Sequence, residues 1–204
     1  MRPKRKLKNR KIFLKGEQMK VKDVLTKASQ ILNIESDMKV QIEATSKPTL
    51  SAQFNMLYNA CMIAYEELAT DYFPLLSNEE VVVQNNKIYY TDLAKDVKDI
   101  YRIEGIDGKI FRFKCFPDYC YVGGAGNVKV LYSYIPQEPE WGGDFSNFCG
   151  KVTTRSFAFL VASEYSFIAG FFDDAKIWHK RFCDSIRANQ SKKGPIFLPK
   201  RKWL

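Results

Sequence analysis

Val128-Lys129-Val130-Leu131-Tyr132-Ser133-Tyr134-Ile135-Pro136 is the stretch on which the chain changes character. Its β-branched and aromatic residues read as a strand, and Pro136 stops it. After a Gly-rich loop, two helical patterns follow, then a basic tail closing on Lys200-Arg201-Lys202-Trp203-Leu204. The residues just upstream of Val128 also alternate with period two, whereas residues before about 76 repeat at three-and-four spacing. Helices at both ends with strands between them predict an α+β fold: a helical core from the N- and C-terminal helices, with a strand-rich antiparallel insertion at about 79–136. The organisation expected is a basic arm over residues 1–18, one domain over 19–189, and a second basic arm over 190–204.

Moving upstream, Val81 and Val83 precede Asn85-Asn86, then Ile88 and Tyr90. That is hairpin chemistry, because Asn tolerates the positive backbone angles of a tight turn. A second hairpin is predicted where Ile103 to Ile106 meets Asp107-Gly108 and returns through Ile110 to Cys115. Here Phe111, Phe113 and Cys115 should share one face and Arg112 and Lys114 the other. A further strand near Tyr119 to Val122 is separated from Val128 by Gly123-Gly124-Ala125-Gly126-Asn127. Without G-x-x-x-x-G-K-[ST] and a following helix, that loop reads as a turn between antiparallel strands, not a phosphate cradle.

The helical ends are as readable. Val21, Val24, Leu25, Ala28, Ile31 and Leu32 form one stripe over 20–33. A polar loop with Pro48 leads to a second helix, capped by Thr49 or Ser51, whose stripe is Phe54, Leu57, Cys61, Tyr65, Leu68 and Tyr72, ending at Pro74. Downstream, Lys151 to Ala169 forms a helix, Gly170 permits a bend, and Asp173-Asp174 begin the next helix, with Ala175, Trp178, Phe182 and Ile186 on its stripe. Trp178 and Phe182 are expected to pack against Tyr65 and Leu68, and His179 to lie at the rim. The apolar run Phe157 to Phe172 holds Glu164 and is shorter than the roughly 20 residues a membrane span needs, so it predicts a buried or subunit-facing helix.

Charge narrows the function classes. Of 32 Lys and Arg, eight lie in residues 1–15 and five in residues 190–204, where there is no acid; the remaining 19 face all 23 acids, so the central part carries a formal charge of about −4. The net +9 therefore belongs to two arms and not to a phosphate-tracking groove. The cysteines at 61, 115, 120, 149 and 183 include no C-x-x-C pair, and His179 is the only histidine, a poor donor set for a metal. No cofactor motif is present. One histidine without a recognisable nucleophile motif points away from catalysis. The basic start is followed by only Ile12-Phe13-Leu14, too short for a secretory signal, which predicts a cytosolic product with reduced thiols.

Asn59 to Leu76, containing Ala64-Tyr65-Glu66-Glu67-Leu68-Ala69-Thr70-Asp71-Tyr72-Phe73-Pro74-Leu75, is followed by Tyr132-Ser133-Tyr134-Ile135-Pro136, Ala162-Ser163-Glu164-Tyr165, Gly170, Ala175, Trp178-His179-Lys180-Arg181-Phe182 and the basic Trp-Leu end. In this order, over roughly residues 19–204, the chain resembles the head-to-tail connector (adaptor) proteins of tailed bacteriophages. It departs from their compact all-helical members in its strand-rich middle and its basic extension before Met19. The resemblance implies a structural, non-enzymatic protein of the virion neck, made in the host bacterial cytoplasm. It would form a homo-oligomeric ring between portal and tail proteins through which genomic DNA passes without sequence-specific recognition. Another neck or tail-completion protein, or a DNA-binding accessory protein acting through its basic arms, is the alternative. The C-terminal arm is the expected partner-binding element: Phe197, Leu198, Trp203 and Leu204 are too apolar for a solubilising tail, while Lys200, Arg201 and Lys202 would meet acidic groups on portal.

Overall fold

The structure, a computed structural model, describes residues 19–46, 51–124, 126–145, 148 and 152–190. It is an α+β fold with two hydrophobic cores, one among the helices and one between two small sheets.

Helix α1 spans Val21–Ile31 and buries Val21, Val24, Leu25 and Ala28, as its stripe predicts. Its end is set by Asn33 at φ 58, which lets the Ile34 amide reach back to the Ser29 carbonyl at 2.9 Å and closes the last turn. The chain then re-enters a helix, α2 over Glu35–Glu43, where the sequence reads as polar loop. Only Met38 and Ile42 of α2 are buried, one contact per turn, too sparse a pattern to stand out. Helix α3 covers Ala52–Glu67 and begins with the Ser51 hydroxyl accepting from the Phe54 amide at 3.3 Å. Thr49, the other cap candidate, lies outside the described residues.

Helix α3 does not run regularly to Pro74. Its last turn, Leu68–Tyr72, widens to a π-helix in which the Phe73 amide donates to the Leu68 carbonyl at 2.8 Å. Such wide turns re-aim side chains, and this one brings the Tyr72 ring edge-on to Phe182 at 4.9 Å.

Six strands follow: β1 Leu76–Val83, β2 Lys87–Tyr89, β3 Val97–Gly105, β4 Phe113–Cys115, β5 Tyr119–Val122 and β6 Gly126–Tyr134. All pairings are antiparallel, and the strands sort into two three-stranded sheets, ordered β1-β6-β3 and β2-β5-β4. Both turns occur where sequence places them: Asn85 and Asn86 adopt φ 52 and 59, and the Gly105 amide bonds the Lys109 carbonyl at 2.8 Å across the Asp107-Gly108 corner. Each turn closes a short hairpin stem, Gln84 opposite Lys87 at the first and Glu104 opposite Ile110 at the second. Each hands the chain from one sheet to the other, because β1 continues its ladder with β6 while β2 pairs with β5. The Gly123-to-Asn127 loop likewise joins the two sheets rather than paired neighbours. A Cβ on Gly124 would stand 2.5 Å from the Phe111 ring, so glycine is what allows that crossing to pack.

The two sheets enclose Val83, Ile103, Val128, Val130 and Tyr132 from one side and Ile88, Cys120 and Val122 from the other. Phe111 and Phe113 are half-buried and Arg112 and Lys114 exposed, as the alternation predicts, but Cys115 sits at the rim and is exposed. Tyr132 carries its hydroxyl to Glu79 at 2.5 Å, where the Ala94 amide also donates at 2.9 Å. Burial pulls the Glu79 carboxyl upward, yet these donors outweigh it and hold it below the usual range.

Helices α4, Thr154–Ile168, and α5, Phe172–Gln190, complete the helical layer. Helix α4 packs against α1, α3 and α5. Its position explains a run apolar on nearly every side, and no helix of the described residues is long and apolar enough to cross a membrane. Gly170, at φ +83, lets the Phe171 amide bond the Ser166 carbonyl at 2.8 Å and turns the chain into α5.

Candidate interaction surface

The α4–α5 hairpin carries the most unusual surface of the described residues. Two hydroxyls lock the pair: Ser163 donates to the Ala175 carbonyl at 2.9 Å, and Ser156 meets Ser185 at 2.6 Å. On α5, Ala175, Phe182 and Ile186 face the core and are buried. Trp178 does not join them fully. It is half-buried, packs at the edge of the helical core and stacks on Phe159 at 6.1 Å, nearly parallel. One residue of the predicted stripe has thus turned toward the edge of the hairpin.

That edge forms a ledge of alternating cations and rings. Arg155 lies over Phe159 at 5.5 Å, Phe159 stacks on Trp178, and Arg181 lies over Trp178 at 5.0 Å. With Lys27, Gln30 and Ile31 of α1 the ledge borders a hollow of about 390 Å³. Neither guanidinium has an ion pair among the described residues, so their N–H edges are available to a partner.

The opposite flank is different. Helical geometry, at 100° per residue, sets Phe172, His179 and Cys183 on the other side of the Ala175–Phe182–Ile186 stripe from Trp178 and Arg181. They line a groove of about 530 Å³ together with Glu164 and Phe167. At the hairpin's turn the groove opens onto Phe167, Ile168, Phe171 and Phe172, all exposed, with the Phe167 and Phe172 rings 5.5 Å apart.

The groove floor is polar. The Tyr72 hydroxyl meets His179 Nε2 at 3.1 Å, and Cys183 Sγ lies 3.8 Å from Nδ1. His179 therefore bridges α5 to the π-turn and is half-buried. Burial, then Cys183 and Glu67, pushes the Tyr72 phenol up to about 12. Burial, then the Glu164 and Asp71 carboxylates, pushes Glu67 up to about 7, and burial also raises Glu164 against the pull of His179. Cys183 sits mid-helix, where backbone amides are committed to helical bonds, so none converges on a site beside its sulfur as acyl transfer requires. The described residues contain no group of three His, Cys, Asp or Glu that could hold a metal ion.

Glu67 makes stability depend on pH. The folded protein keeps its proton to about pH 7, whereas the unfolded chain releases it near 4.5. Between those values the folded state binds more protons, so stability falls as pH rises. Glu67→Gln should flatten that slope and raise stability at pH 8 by about 1 to 2 kcal/mol, a figure discounted for the solvent that reaches this half-buried carboxyl. Urea titrations of both proteins between pH 4.5 and 8 measure this, and parallel slopes would reject it.

The arm residues expected to bind partners, Phe197, Leu198, Lys200, Arg201, Lys202, Trp203 and Leu204, lie outside the described residues, as do residues 1–18 and Cys149. The hairpin surface escaped the sequence reading because its parts lie far apart, Arg155 and Cys183 being separated by 28 positions. The one available signal was Phe167, Ile168, Phe171 and Phe172 flanking Gly170, more apolar than an exposed helix corner needs. No protein-family model matches this chain, and no curated protein matches it.

Proposed function

We propose that this protein is a structural component of the neck of a tailed bacteriophage, a head-to-tail connector whose copies form a ring between portal and tail. The observation that carries the reading is the pair of unlike flanks on the α4–α5 hairpin. A ring is a heterologous assembly in which one face of each subunit meets a different face of the next. The cation–ring ledge and the groove, which opens on exposed phenylalanines and carries Glu164 and Asp184 beside Lys176, Lys180 and Arg187, are two such faces, on opposite sides of one hairpin. Trp and Arg on one side, and exposed Phe on the other, are residue types that anchor interfaces. Genomic DNA would pass through the ring without sequence-specific recognition. The basic arms then serve as reach toward portal and tail proteins, and the protein acts in assembly, not catalysis.

Purified protein should form a closed oligomer many times its 23.6 kDa monomer mass, measured by native mass spectrometry and imaged as a ring. Deleting its gene should leave heads and tails that fail to join; normal infectious particles without the protein would end the proposal. The segregation of positive charge into the arms favours a second reading, a DNA-binding accessory protein. Strong salt-sensitive affinity for duplex DNA, lost when both arms are removed, would select it.

A further inference from the structure

Strands β4 and β5 run antiparallel with Cys115 directly opposite Cys120. The surrounding hydrogen bonds define the kind of rung they occupy. The Phe116 amide donates to the Tyr119 carbonyl at 2.8 Å, and the Gly123 amide donates to the Arg112 carbonyl at 3.2 Å. Bonded rungs alternate with unbonded ones, so 116–119, 114–121 and 112–123 are bonded and 115–120 is not. On an unbonded antiparallel rung the Cα atoms lie about 4.5 Å apart and both side chains project from the same face. A disulfide spans Cα separations of about 4.4 to 6.8 Å, so this rung lies within its reach.

The two sulfurs differ in access. Cys115 is exposed, and Cys120 is wholly buried in the core between the sheets. Burial, then Cys115, pushes the Cys120 thiol up to about 12, so it remains protonated and the opening attack falls to Cys115. The Tyr90 hydroxyl donates to the Phe116 carbonyl at 2.9 Å and holds the connecting turn against β2.

We infer that Cys115 and Cys120 are a reversible disulfide-forming pair, closed by exchange with a small-molecule disulfide such as oxidised glutathione. The Cys115 thiolate attacks one sulfur of the glutathione disulfide, giving a Cys115–glutathione mixed disulfide and one glutathione thiolate. Cys120 then gives its proton to solvent, its Sγ attacks Cys115 Sγ, and the second glutathione leaves. Two protein thiols are oxidised and one glutathione disulfide is reduced to two glutathiones. The bond clamps β4, a three-residue edge strand, to the central strand β5 of its sheet.

The test uses the full chain under native conditions. After incubation with oxidised glutathione, then alkylation in denaturant and digestion, mass spectrometry should find the Cys115 and Cys120 peptides linked, with Cys61 and Cys183 alkylated. Cys120→Ala should stop at a stable glutathione adduct on Cys115, and Cys115→Ser, a change at an exposed position, should leave Cys120 unmodified. Wild-type protein in which Cys115 and Cys120 both stay alkylated, or in which the adduct accumulates without closing, overturns the inference. If Cys120→Ala fails to fold, the wild-type and Cys115→Ser results decide alone.

Discussion

Replacing Phe182 by alanine is expected to cost about 3 to 5 kcal/mol, enough to remove most of the stability of a domain this size. Phe182 is wholly buried, stands edge-on to Tyr72, and belongs to the helical core along with Leu68, Phe157 and Leu160. Truncation leaves a cavity bounded by helices that other contacts hold in place, so the site cannot collapse around it. Its neighbour on the stripe supplies the control. Trp178 is larger but half-buried on the ledge, and Trp178→Ala should cost only about 1 to 2 kcal/mol. Equilibrium urea denaturation of both variants measures the contrast. Equal losses would mean that Trp178 is as deeply packed as Phe182 and that the ledge is not a surface.

Reversing two charges on the ledge should abolish assembly while sparing the fold. Arg155 and Arg181 are exposed and without ion pairs among the described residues, so Arg155→Glu with Arg181→Glu gives up only their two surface cation–ring contacts within the monomer. In the proposed ring it removes both guanidinium anchors from the ledge and brings carboxylates to an interface that would desolvate them. Loss of a buried interface arginine costs on the order of 2 kcal/mol, about thirty-fold in affinity, and closure of a ring multiplies that loss over every interface. The variant should therefore be a folded monomer at concentrations where the wild type forms the proposed ring, as read by sedimentation with circular dichroism alongside. Wild-type assembly by the double variant would show that copies do not meet through this flank.

Local rules account for the parts that were legible in advance. The α1 stripe, the Ser51 cap, the Asn85-Asn86 and Asp107-Gly108 turns, the Gly170 corner and β5 over Tyr119–Val122 each depend on residues within a few positions of one another. Helix α2 escaped because two buried residues in nine are too few to set a period, and the π-turn because its widening serves contacts made more than a hundred residues away, from Tyr72 to His179 and Phe182. The insertion also starts earlier, at Leu76, since Leu76 opposite Ser133 extends a ladder whose partner strand lies 57 positions on.

The sequence by itself determined the α+β class, the antiparallel insertion between helical ends, the burial of the apolar run in α4 and the segregation of positive charge into the two arms, because periodicity and composition are local or additive. Tertiary structure alone decided which strand meets which, sending the two strands that leave each hairpin turn into different sheets. It also decided where the unlike flanks fall, stacking Trp178 on Phe159 and drawing Glu164, His179 and Cys183 around one groove, with Tyr72 bonded to His179. The physical reason is that a side chain's neighbours across a fold are chosen by the best joint packing of all elements, a quantity no single stretch of the chain contains.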